Sequence, residues 1–180
     1  MGMMLILQGA LTQNVVLGSL LGVGVLVDLP RSVEDARREI TLLGALLALA
    51  TVTTWLIEHI ILLPLHAQFL RIIFFMLTIA LGEQALEHFF GWRISPYRKV
   101  ILWSVVLGVS LQNTLYQRGF SESLFYALGA GLGYILVLVM MIGLHERLKH
   151  ARVSRLLQGL PMILLCATIM SMAFTVFLSF

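Results

Sequence analysis

Six stretches of this chain, at about 3–27, 40–63, 68–90, 100–116, 123–144 and 157–179, are apolar over a length that suits a lipid bilayer. A helix needs about 20 apolar residues to cross the hydrocarbon core. The connections between the stretches are short, so the 180 residues leave no room for a separate soluble domain. Composition agrees. Hydrophobic residues make up 59% of the chain, charged residues 12%, and the mean hydropathy is +0.97. Soluble domains run at roughly 45–50% apolar and about 25% charged. A soluble globular enzyme is therefore excluded, and so is disorder, whose signature is low hydrophobicity. The expected fold is all-α and integral to the membrane, a single six-span domain over residues 1–180. No Lys or Arg precedes the first apolar run, so the charged start of a cleaved signal peptide is missing, and that run is read as a retained span.

The formal charge of +3 invites a nucleic-acid reading until the cations are placed. The first, third and fifth connections carry three, three and four Lys or Arg, against Arg71 and Arg118 on the other side. Ten against two over short loops is the positive-inside pattern. It puts loops 1, 3 and 5 in the cytoplasm and both termini outside. The basic charge is thus topological, without the aromatic interleaving of a base-stacking surface, and no nucleic-acid partner is expected. The first connection, with Asp28, Arg31, Glu34, Asp35, Arg37, Arg38 and Glu39, is the most polar segment and is read as a short surface helix.

Polar groups inside the spans come next, because hydrocarbon makes them costly. Gln13 and Asn14 lie in the first span, followed by Gly18, Gly22 and Gly24. Gly18 and Gly22 form a small-xxx-small pair that lets another backbone approach. The fourth span repeats the theme with Gly108, Ser110, Gln112, Asn113 and Thr114. Gln13-Asn14 and Gln112-Asn113 each open a three-span half, which hints at an inverted repeat of the kind common in transport proteins. Two readings stay open: ordinary helix packing, or first and fourth helices broken at a functional site, where protein or a cavity satisfies the freed backbone.

Glu83 and Glu87 sit four apart in the third span and share one helix face. Glu87 can reach the interface, whereas Glu83 lies about two turns in. Glu83 is either a proton or cation site or a carboxyl hydrogen-bonded to a neighbouring helix. Together Gln13, Asn14, Gln112, Asn113, Glu83 and Glu87 form the candidate intramembrane polar site. The five histidines show no haem or zinc spacing. Gly129, Gly131 and Gly133 make a smooth packing face on the fifth span. The one cysteine, Cys166, excludes an internal disulfide and any site needing two thiolates from this chain. No catalytic residue and no metal site is expected.

The run "WLIEHIILLPLHAQFLRIIFFMLTIALGEQALE" over the second and third spans, "YALGAGLGYILVLVMMIGLHERL" in the fifth and "QGLPMILLCATIMSMAF" in the sixth occur in order and almost without gaps. In these the chain resembles the six-span Rnf/Nqr membrane subunit family, of the RnfA/NqrE type, from about Leu5 to Leu178. Those subunits belong to the Rnf electron-transport complex and to the sodium-pumping NADH:quinone oxidoreductase. The resemblance implies two inverted three-helix repeats and a homologous partner subunit of inverted orientation. It also implies other electron-transport subunits, which carry flavin and iron–sulfur groups, in a bacterial or archaeal inner membrane. In the family each of the two homologous subunits gives two cysteines to a shared [2Fe–2S] cluster, and electron transfer is coupled to sodium or proton movement.

This sequence departs from the pattern at the ligands. Aligned on "QNVVLGSLLGVG", the first cysteine's place is held by Gly24; aligned on "SLQNTLY", the second's is held by Thr114. No cofactor is then expected to be bound by this chain alone. The expected role is a membrane-integral, non-catalytic subunit of an ion-translocating electron-transport complex, without its own cluster ligands. A cluster-less paralogue acting as scaffold or assembly partner, and a small ion transporter, remain as alternatives.

Overall fold

The computed structural model describes residues 2–12, 14, 33–64, 66, 68–91, 96–149 and 160–178. Among the described residues all regular structure is helical. Helix α1 is Gly2–Leu7, continued by a π-helical turn Gln8–Thr12. Helix α2 is Val33–Ile57 and runs on through a π turn, Glu58–Leu62. A 3₁₀ turn, Gln68–Leu70, leads into α3, Arg71–Phe90. Then come α4, Pro96–Leu115, α5, Phe120–Lys149, and α6, Leu160–Leu178.

Among the described residues three helical segments are long and apolar enough to cross a membrane: Glu34–Leu62, Gln68–Phe89 and Phe120–Leu144. Shorter apolar helical segments are Gly2–Leu11 and Leu164–Ala173. The chain is an all-α membrane protein. Its helix ends follow local chemistry. Glu34 and Asp35 lie in the first turn of α2, where they oppose the positive end of the helix dipole. Pro96 opens α4, its fixed φ suited to a first turn and its missing N–H no loss there. Gly91 closes α3 in the left-handed region at φ 64°, and its N–H donates to the Glu87 carbonyl at 2.8 Å.

The core forms where α2, α4 and α5 meet, with Leu42, Leu46, Val106, Val109, Tyr134 and Val137 fully enclosed. By contrast α3 turns Ile72, Ile73, Met76, Leu77 and Leu81 outward. Such an apolar surface suits lipid or a partner helix rather than water. The opening segment lies backbone-to-backbone on α5. A Cβ at Gly129 would fall 2.4 Å from the Ile6 carbonyl oxygen, and one at Gly9 would fall 2.8 Å from that of Tyr126. Small residues on both elements permit this approach. The packing face expected around Gly129 is therefore present.

One expectation changes, and one open choice is decided for the fourth helix. The first connection does not form a separate surface helix over its second half: residues 33–39 are the opening turns of α2, and Glu39 is buried. The fourth span is not broken, since α4 is continuous past Gly108 to Leu115. Its polar residues are accommodated within the helix. Ser110 Oγ donates to the Val106 carbonyl at 2.9 Å, and Thr114 Oγ1 donates to that of Leu111 at 2.9 Å. Gln13, Gly18, Gly22 and Gly24 lie outside the described residues.

Candidate functional site

Polar side chains gather at both ends of the helix bundle. At the end built from the start of α2, the end of α3 and the start of α4, Glu83 is buried. Its Oε2 accepts from Trp103 Nε1 at 2.8 Å, and its Oε1 lies 2.7 Å from Lys99 Nζ. Lys99 also donates to Glu87 Oε2 at 2.7 Å. The i, i+4 spacing thus places both carboxylates on one face, as expected, with one ammonium between them. Close by, Glu39 accepts from the Tyr134 hydroxyl, and Arg98 Nη1 approaches its other oxygen at 3.4 Å. A carboxylate taken out of water needs such partners, because desolvating a lone charge costs several kcal/mol.

At the opposite end, Glu58 at the close of α2 is buried and receives a two-pronged contact from Arg71 at the start of α3. Arg71 Nε donates to Glu58 Oε2 at 3.1 Å, and Nη2 donates to Oε1. Planar guanidinium and carboxylate match in this geometry. The α4–α5 turn supplies a second cation. Gln117 adopts a left-handed φ of 48°, which is unusual outside glycine. The turn carries Arg118 back under the end of α4, and its backbone N–H donates to the Asn113 carbonyl at 3.1 Å. Arg118 Nη1 donates to Asn113 Oδ1 at 3.3 Å, and its guanidinium lies 3.8 Å above the Tyr126 ring. Burial pushes this guanidinium below its ordinary value, an effect that the neighbouring Tyr126 opposes. The Tyr126 hydroxyl donates to Gln112 Oε1.

A cavity of about 370 Å³ opens between these groups. Its lining includes Trp55, Glu58, Arg71, Asn113, Thr114 and Arg118. Asn14, on the opening segment, is buried and donates from Nδ2 to the Ala10 carbonyl at 2.9 Å. It sits against Gly133, while Gln112 sits against Tyr126. Seven residues of α5 separate those points, roughly 10 Å of helix rise. The candidate polar residues therefore occupy three places rather than one: Asn14 against the middle of α5, Gln112 and Asn113 at the cavity end, and Glu83 and Glu87 at the other.

The profile of a family described as "Rnf-Nqr subunit, membrane protein" matches residues 3–180. The chain belongs to the Rnf–Nqr membrane subunit family. Among its relatives is a subunit of the "Ion-translocating oxidoreductase complex" of Azoarcus sp. (strain BH72). It is 34% identical over 180 residues, covering 96% of this chain and 93% of the relative. The corresponding subunit in Actinobacillus pleuropneumoniae serotype 5b (strain L20) is 37% identical, covering 95% and 93%. A subunit of the "Na(+)-translocating ferredoxin:NAD(+) oxidoreductase complex" of Acetobacterium woodii is 32% identical over 179 residues, covering 94% and 93%.

The cluster that the family resemblance implies can be tested against this Rnf–Nqr chain's residues. Iron–sulfur ligation uses thiolates, or histidine in rarer centres. The chain's one cysteine, Cys166, is buried in α6 among the apolar core residues. Thr114 Oγ1 bonds its own helix, and Gly24 lies outside the described residues. Among the described residues no three of His, Cys, Asp and Glu gather to hold a metal ion. Thiolate ligation by the described residues would fall to Cys166 alone.

Sequence reasoning left several partnerships in this Rnf–Nqr fold unassigned: Glu39 with Tyr134 and Arg98, Glu58 with Arg71, and Lys99 with the two glutamates. One had a visible signal. Glu58 and Arg71 flank a short connection between two long apolar runs, so a helical hairpin must bring them close. Glu39 and Tyr134 stand 95 residues apart and carried no such signal.

Proposed function

We propose that the chain is a membrane-integral, non-catalytic subunit of an ion-translocating electron-transport complex of the Rnf/Nqr kind. The observation that carries this reading is the family match over nearly the whole chain, with relatives described as subunits of such complexes. In this reading six spans form two inverted three-helix halves and pack against a homologous subunit of inverted orientation. The ten-to-two division of Lys and Arg supports loops 1, 3 and 5 in the cytoplasm and both termini outside, and the family supports a bacterial or archaeal cell membrane. Flavin and iron–sulfur groups belong to the partner subunits.

Gly24 and Thr114 stand at the family's cluster-cysteine positions, so this subunit contributes helices and polar contacts rather than thiolates. Purification from native membranes, followed by flavin and iron analysis and identification of accompanying chains, tests the reading. A homologous six-span chain with flavin and iron in the same particle is expected. A particle with none of the three overturns it. The thiol count supports a second reading, a scaffold or assembly partner outside electron transfer. Deleting the gene separates the two. Loss of membrane NADH- or ferredoxin-linked electron transfer favours the first, and unchanged transfer with the partner complex poorly assembled favours the second.

A further inference from the structure

Two residues that line the cavity at the close of α2 and of α4, Asn113 and Trp55, carry buried donors without partners among the described residues. Arg118 holds Asn113 by its oxygen, which fixes the amide's orientation and turns Nδ2 away from the guanidinium. That nitrogen is buried and finds no acceptor among the described residues, in a residue 7% exposed. Trp55 Nε1, also in the lining, is buried and unpartnered in the same sense. A buried donor left unsatisfied costs about 1–3 kcal/mol, so two of them in the walls of one cavity favour acceptor oxygens beside them.

Charge narrows the ligand. The lining carries two guanidiniums, Arg71 and Arg118, against one carboxylate, Glu58. Both Glu58 oxygens are engaged by Arg71, which uses Nε and Nη2 of the five N–H donors an arginine carries. Glu122, beyond the lining, accepts from the Gly119 N–H at 3.3 Å, and its charge also acts on Arg118. Deeper in the cavity the hydroxyls of Thr51, Thr54 and Ser110 donate to carbonyls of their own helices. Their lone pairs remain to receive a P–OH proton or a water. The remaining donors of the lining belong to Trp55, Asn113, Arg71 and Arg118. Guanidinium groups favour tetrahedral oxyanions for their charge and fork geometry. The volume of about 370 Å³ suits a small polar group rather than an extended cofactor.

We infer that this cavity binds a phosphate-class oxyanion, presented as a phospholipid headgroup or as free phosphate. Exposed Leu63 and Tyr116 at the same end would place the mouth near the lipid interface. The inference is independent of whether the chain takes part in electron transfer.

The test uses the full chain purified from membranes with its accompanying subunits, and follows its thermal unfolding. One arm titrates sodium phosphate against sodium chloride at equal ionic strength. The other adds phosphatidylglycerol, against a phosphate-free galactolipid. A rise in unfolding temperature with phosphate alone identifies the free ion as ligand, and a rise with phosphatidylglycerol alone identifies the headgroup. Asn113→Asp keeps the oxygen that Arg118 holds but exchanges the donor for a negative charge, and should abolish the shift. Trp55→Phe removes one donor and keeps an aromatic ring, and should weaken apparent affinity roughly tenfold. Trp55→Phe decides the matter if Asn113→Asp does not fold. No shift in either arm, an equal shift with chloride or galactolipid, or a shift undiminished in the folded variants overturns the proposal.

Discussion

The two polar ends of the bundle are built from the same materials and reach different states. Where α2 starts and α3 ends, Glu83 and Glu87 share Lys99, and Glu39 holds both Tyr134 and Arg98. Each cation there bridges helices, although Glu87 Oε1 stays buried without a hydrogen-bond partner among the described residues. At the other end Arg71 and Arg118 also meet acceptors, yet a cavity of about 370 Å³ remains, lined by Asn113 and Trp55, whose buried donors have no partner among the described residues. The difference lies in helix endings. Lys99 and Arg98 rise from the first turn of α4 directly against α3 and α2. The opposite end is finished by two loops whose turns need left-handed residues, His66 at φ 50° and Gln117 at φ 48°. Strained positions of this kind cost of order 1–3 kcal/mol each and tend to mark functional sites. A closed end of paired charges suits a structural clamp, and an end with unengaged donors suits a ligand.

The comparison breaks most sharply at Glu58. Arg71→Met should leave a buried carboxylate alone and destabilise the protein by about 3–5 kcal/mol. The measurement is the thermal unfolding midpoint in detergent, and adding Glu58→Gln should recover much of the loss. If the single variant is as stable as the parent, the Glu58–Arg71 pair does not hold the cavity end. At the closed end, Tyr134→Phe deletes a hydroxyl donor to a charged acceptor and should cost about 1.5–3 kcal/mol. Unfolding of that variant should keep the parent's response to phosphate, because Tyr134 lies outside the cavity lining. The smallest effect is expected on α2's exposed surface, where Arg38 pairs with Glu34 at 2.9 Å with side chains 51% and 75% exposed. Arg38→Ala should cost about 0.3–0.5 kcal/mol, seen as a slight lowering of the midpoint that added salt erases.

Legibility in the sequence tracks the range of the forces involved. Apolar run length and the ten-to-two cation division are sums over neighbouring residues, so the membrane class and the proposed orientation could be read directly. The shared face of Glu83 and Glu87 followed from helical spacing, and Lys99 Nζ meets both. The choice between a packed and a broken fourth helix stayed open in the sequence, because composition shows polar residues and a glycine but not where their hydrogen bonds go. Ser110 and Thr114 bond carbonyls one turn back and leave α4 whole.

By itself, then, the sequence determined an all-α membrane chain, its family, the expected orientation and the lack of a second thiol. All of these depend on residue identity and local order. The tertiary structure decided which buried charges meet. Glu39 reaches Tyr134 across 95 residues and Arg98 across 59, and the Asn113 side-chain oxygen is held by a guanidinium five residues on. Those partnerships depend on how helices lie against one another, and on loop turns that no hydropathy pattern encodes. In a low-dielectric interior they also set the cost of every buried charge, which is why the empty space they leave at one end carries chemical meaning.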